Sequence, residues 1–110
     1  MPPPAAIDFG TLCSELDALI EGPPARDLAS REQIERTLTD GYAGALSLEA
    51  ERLRLERRIG KLASEMRDGN KVRKADELAE LSTRLSRASG NLTHLRKLLV
   101  AARRRSSAAA

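Results

Sequence analysis

Apolar residues recur along most of this chain at alternating steps of four and three. One series runs Ile34, Leu38, Gly41, Ala45, Leu48, Arg52, Leu55, Ile59, Leu62, Met66; a second runs Leu78, Leu81, Leu85, Ala88, Leu92, Leu95, Leu99, Ala102. Such spacing draws a single stripe down one side of an α-helix. Between the two series stands Asp68-Gly69-Asn70. Glycine supplies a left-handed C-terminal cap, and asparagine can cap the helix that follows. Ser30 with Gln33 fits a capping box at the start of the first series. The pattern predicts an all-α fold: two helices of about 35 residues, each about 50 Å long, folded into an antiparallel hairpin over residues 30–105.

A shorter helix is predicted over residues 11–21, where Leu12, Leu16, Leu19 and Ile20 share one face. Gly22-Pro23-Pro24 stops it, because each proline disfavours helix at the residue before it. Residues 22–29 read as a linker. Residues 1–10, with three consecutive prolines, read as a flexible N-terminus, and residues 106–110 as a disordered tail.

With the turn centred near residue 70, antiparallel partners are residues whose numbers sum to about 140. Leu62 then faces Leu78, Ile59 faces Leu81, and Leu55 faces Leu85. Farther out, Ala45 faces Leu95, Gly41 faces Leu99, and Leu38 faces Ala102, so small residues oppose large ones. Arg52 faces Ala88, which leaves its stem room to lie flat. The same register brings Arg58 near Arg84 and Glu65 near Glu77, like charges that oppose a bare two-stranded pairing. Leu46 and Leu53 form a second apolar stripe one heptad apart, with Leu98 beside it on the other helix. A wider apolar face suits a bundle of three or more helices. Either the N-terminal helix or a second chain can supply the further helix; a homodimeric four-helix arrangement is the preferred reading, with Leu46, Leu53 and Leu98 at the partner or oligomer interface.

Composition agrees with this picture. Of 110 residues 32% are charged, and Phe9 and Tyr42 are the only aromatics, so the core is built from Leu, Ile and Ala. The net charge of +3 permits an acidic partner without requiring one. Cys13 and His94 are single, which argues against a disulfide and against a transition-metal site. No secretory signal and no span of about 20 apolar residues is present. A cytoplasmic protein that does not enter the membrane, needs no cofactor and is not an enzyme is expected. The abundance of arginine over lysine, together with alanine, suggests a bacterial GC-rich source.

Two segments stand out as candidate sites. Gly41, Tyr42 and Gly44 interrupt the first long helix, and each glycine there disfavours helix by about 1 kcal/mol relative to alanine. They allow close packing against Leu95, Leu98 and Leu99 or a kink at Asp40-Gly41, or else a shallow groove for a partner helix or small ligand with Tyr42 at its edge. Arg54, Arg57, Arg58 and Lys61 share a helix face and can follow a phosphate backbone. Glu49, Glu51 and Glu56 lie among them, and no aromatic is interleaved to stack on bases.

The segment Leu92-Thr93-His94-Leu95-Arg96-Lys97-Leu98-Leu99 resembles a stretch of the cyclic-di-GMP-responsive anti-sigma factors of actinobacteria, which are antiparallel helical hairpins. Their ligand motif sets Glu, Ser, Arg, Gln and Asp at steps of four, three, four and four. Here Thr93 stands for the Ser and Arg96 matches the Arg, while the other positions hold Ser89, Val100 and Arg104. The resemblance implies an architecture that grips another protein. The expected function is a helical interaction or oligomerisation module whose partner is a second copy or another helical protein. The alternatives are an accessory nucleic-acid-binding protein and an anti-sigma-like regulator of transcription.

Overall fold

The computed structural model describes residues 8–23, 27–67, 69 and 71–108. They form α1 (Phe9–Glu21), α2 (Leu28–Met66) and α3 (Lys71–Ala108), and the described residues contain no strand. The all-α expectation holds.

Helices α1 and α2 begin earlier, and α3 ends later, than the sequence suggests. At α1 the Asp8 carboxylate accepts the Thr11 backbone N–H at 3.2 Å, so the helix opens at Phe9 and not at Thr11. At α2 the Asp27 carboxylate accepts the Ser30 N–H at 2.7 Å, and the helix opens at Leu28. Ser30 is thus inside the first turn and not its cap. An aspartate is a good cap on two counts, because it satisfies an orphan N–H and its charge complements the positive end of the helix dipole. The Ser30 N–H bond holds the Asp27 carboxyl below its ordinary range. At the other end, α3 continues through residues 106–108, which the sequence left as tail.

Of the expected turn, Asp68 and Asn70 lie outside the described residues. Gly69 takes φ +132°, a backbone conformation that side chains with a Cβ rarely adopt, which accounts for a glycine here.

The chain divides into two compact units, Met1–Leu46 with Thr93–Ala110, and Ser47–Leu92. In the first, α1 packs on the beginning of α2 and the end of α3. Its core is Leu12, Leu16, Leu38, Ala45, Leu95, Leu99 and Ala102, with Leu16 and Leu95 at 0% exposure. Thr37 is the buried polar residue of this unit; its hydroxyl donates to the Gln33 carbonyl at 3.0 Å, one turn back, which offsets the penalty of burying it. An isolated helix of 13 residues is marginal in water. Burying Leu12 and Leu16, each a gain of about 1.5–3 kcal/mol, is what holds α1.

The second unit is a two-helix hairpin. Leu55, Leu62, Leu81 and Ala88 are buried, and Ile59, Leu78 and Leu85 pack against them half-buried. Arg58 donates to Glu77 at 2.7 Å, and Lys74 lies 3.8 Å from the Glu65 carboxylate and donates to the Glu65 carbonyl at 3.4 Å. Numbers rising on α2 as they fall on α3 make the pairing antiparallel. Opposite charges thus meet where like charges were expected: Glu77 takes Arg58 and Glu65 takes Lys74, while Arg58 and Arg84 still line one cleft. Arg52 of the seam is half-buried, with Glu56 3.8 Å away on the next turn.

Candidate interaction surfaces

Packing decides first what the two glycines do. A Cβ placed on Gly41 would sit 2.6 Å from Cδ2 of Leu99 and 3.5 Å from Cδ1 of Leu16. One placed on Gly44 would sit 2.6 Å from Cδ1 of Leu12 and 3.5 Å from Cδ2 of Leu95. The leucines of α1 and α3 therefore occupy the space that the missing side chains leave. Of the two readings open in the sequence, close packing describes Gly41 and Gly44, and no open groove lies there. The sequence named Leu95, Leu98 and Leu99 as the packing partners; Leu95 and Leu99 are among the nearest atoms and Leu98 is not, and Leu12 and Leu16 of α1 complete the fit.

Tyr42 stays at the surface of this unit. Arg103 of α3 donates to its hydroxyl at 3.1 Å, and that bond holds the guanidinium charge even more firmly than usual. Arg105 donates to the Gly22 carbonyl at 2.9 Å, tying the C-terminal end of α1 to α3. At the other end of α1 the Phe9 ring lies 6.3 Å from the His94 ring, tilted by 58°. Cys13 is half-buried on α1; burial, and then the charges of Asp17 and Asp8, push its thiol up and away from the reactive thiolate. No group of three or more potential metal ligands occurs among the described residues. No helix among them is long and apolar enough to cross a membrane.

The three leucines expected at an interface stand apart from the cores in differing degree. Leu46 is 66% exposed in the first unit and Leu53 is 46% exposed in the second, while Leu98 is half-buried. An exposed leucine is unremarkable alone, but Leu46 and Leu53 fall one heptad apart in α2.

Of the basic stripe, Arg54, Arg57, Arg58 and Lys61 are all at the surface. Arg54, Arg58 and Arg84 line a cleft of about 390 Å³ in the second unit. Glu51 and Glu77 line it too, and Glu77 bonds Arg58 and raises its already high pKa. The cleft therefore carries mixed charge.

A second cleft, of about 540 Å³, lies on the outer side of α3 in the first unit, lined by Thr93, Arg96, Lys97, Val100, Ala101 and Arg104. Val100, 51% exposed, forms its apolar centre. Val100 falls off the seam, so the heptad pattern does not mark it; the signal is a β-branched apolar residue just past seam Leu99, with Lys97 three residues before it and Arg104 four after. Thr93 and Arg96, set against the Ser and Arg of the anti-sigma ligand motif in the sequence, line this cleft together with Val100 and Arg104. Comparison with known proteins returns no match: no family, no curated protein and no solved structure is significantly similar to this chain.

Proposed function

We propose that the protein is a non-enzymatic helical interaction module that associates with a second copy of itself through exposed leucines of α2. The supporting observation is the uneven supply of helices. The unit that contains α1 has a third helix over its seam, while Ser47–Leu92 has two helices, half-buried Ile59, Leu78 and Leu85, and an exposed Leu53. A helix from another chain laid on that hairpin buries the same kind of surface that α1 buries in the first unit. Leu46, exposed, and Leu98, half-buried, offer a separate apolar contact in the first unit. The test is sedimentation equilibrium of the full chain and of Leu53→Asp and Leu46→Asp. Both positions are exposed, so circular dichroism should show unchanged helicity, and self-association should weaken by about tenfold or more. Unchanged association in both variants contradicts this interface.

A second reading, nucleic-acid binding, draws support from the surface placement of Arg54, Arg57 and Lys61. It predicts affinity for DNA or RNA that falls steeply as salt rises, and no binding at low salt ends it. Regulation of the anti-sigma kind draws on Thr93 and Arg96 in the α3 cleft. It predicts heat and a thermal shift on titration with cyclic di-GMP, and a silent titration disposes of it.

A further inference from the structure

Two of the three helical segments of the first unit carry charge of one sign. α1 carries Glu15, Asp17 and Glu21 and no basic residue, while residues 93–108 of α3 carry Arg96, Lys97, Arg103, Arg104 and Arg105 and no acidic one. The inner faces of both helices are used up in the core by Leu12 and Leu16 on one side and Leu95 and Leu99 on the other. Two outer faces remain. On α3, Lys97 and Arg104 flank the exposed Val100 in the cleft of about 540 Å³. On α1, Gly10, Ser14 and Ala18 recur every fourth residue, all exposed, with exposed Asp17 and Glu21 beside them.

These faces complement each other in shape and in sign. Small residues at every fourth position let another helix approach closely, and Val100 is a compact apolar knob that such a groove accepts. Asp17 and Glu21 lie three residues beyond Ser14 and Ala18, and Lys97 and Arg104 lie three before and four after Val100, so both sets of charges stand about one helical turn from the contact residues. The two faces lie on the outside of one unit, so one chain cannot bring its own together. We propose that the α3 cleft is a docking surface for the outer face of α1 from a second copy of this chain, and that the contact is made twice in a reciprocal pair. This deepens the self-association proposed above by adding a second surface, electrostatic where the leucine contact is apolar. Opposed charges at such a contact fix register and partner choice more than raw affinity.

A charge exchange in the full-length chain tests it. Lys97→Glu with Arg104→Glu makes both faces acidic, and Asp17→Lys with Glu21→Lys makes both basic. Each double variant alone should self-associate about tenfold more weakly than the wild type, or less. An equimolar mixture should regain pairing, and so should a single chain carrying all four changes. Wild-type pairing should weaken between about 0.05 M and about 0.5 M salt. Circular dichroism checks that the variants fold, which their exposed positions favour. Double variants that pair as well as the wild type overturn the proposal, as does a mixture, or a four-change chain, that stays monomeric. Binding of anionic lipid vesicles or of DNA that Lys97→Glu with Arg104→Glu abolishes, with self-association intact, likewise overturns it and gives the cleft to those ligands. Loss of pairing in Leu53→Asp but not in the charge variants sinks this surface and leaves the leucine contact standing. A wild type that is monomeric at all concentrations sinks both.

Discussion

The same two long helices are held together in two different ways. Where α1 joins them, leucines from three helices meet, and Leu16, Leu95, Leu99 and Ala102 are all but sealed from water. In Ser47–Leu92 two helices share one seam; Leu62 and Leu92 are as well buried, but Ile59, Leu78 and Leu85 around them stay half-exposed and Arg58–Glu77 guards the flank. A seam of two helices covers only the residues that point straight across it. Burying the next ring of positions takes a third helix. The glycines record the same contrast. Gly41 and Gly44 are filled by leucine methyls from neighbouring helices, whereas nothing lies within 4 Å of a Cβ on Gly60 or Gly90.

The largest effect should come from the sealed core. Leu95→Ala or Leu16→Ala should destabilise by about 2–5 kcal/mol in urea unfolding. Leu78→Ala in the two-helix unit should do clearly less, because water already reaches part of its side chain. Equal losses at Leu95 and Leu78 mean that the two seams do not differ as described.

Glycine replacements should then split in sign. Gly60→Ala and Gly90→Ala meet open space and should gain up to about 1 kcal/mol from helix propensity. Gly41→Ala and Gly44→Ala collect the same propensity but drive a methyl against Leu99 or Leu12, buried ends with little room to turn. Overpacking of this kind typically destabilises by about 1–3 kcal/mol. Thermal unfolding should therefore show Tm rising for the first pair of variants and falling for the second.

Smaller effects belong to the surface. Arg58→Ala should lower the stability of the two-helix unit slightly at low salt and not at all at high salt, since both partners are solvated and screened. The Asp27 cap is pH-dependent. Its pKa is depressed by the bond from Ser30 N–H, so its contribution is present above the ordinary carboxylate range and is lost as pH falls through the lowered value. Asp27→Ala should lower Tm slightly at neutral pH and make no difference in acid below that lowered value.

Most of the fold was legible because helical periodicity and register are properties of spacing. The pairs expected for residues summing to about 140 include Gly41 with Leu99, and the structure brings those two together. What spacing cannot carry is the cap, which depends on one side chain; Ser30-Gln33 satisfies a motif, yet Asp27 was better placed and charged. Nor does a wheel of residues foresee diagonal reach. Arg58 and Glu77 sum to 135, off the simple register, and the length of an arginine side chain closes that gap. The groove at Gly41 and Gly44 is the instructive case. Sequence showed the hollow, but only tertiary packing shows that α1 fills it.

The presence of α1 in one unit and of two helices alone in the other underlies the central proposal, that the two-helix unit takes its third helix from a second copy. Amide hydrogen exchange on the full chain, at low and at high protein concentration, tests it most directly. Amides near Leu16 and Leu95 should be strongly protected at both concentrations. Those near Leu55, Leu81 and Leu85 should exchange faster in dilute protein and gain protection as concentration rises. Protection that is equal in the two units and indifferent to concentration would contradict the account.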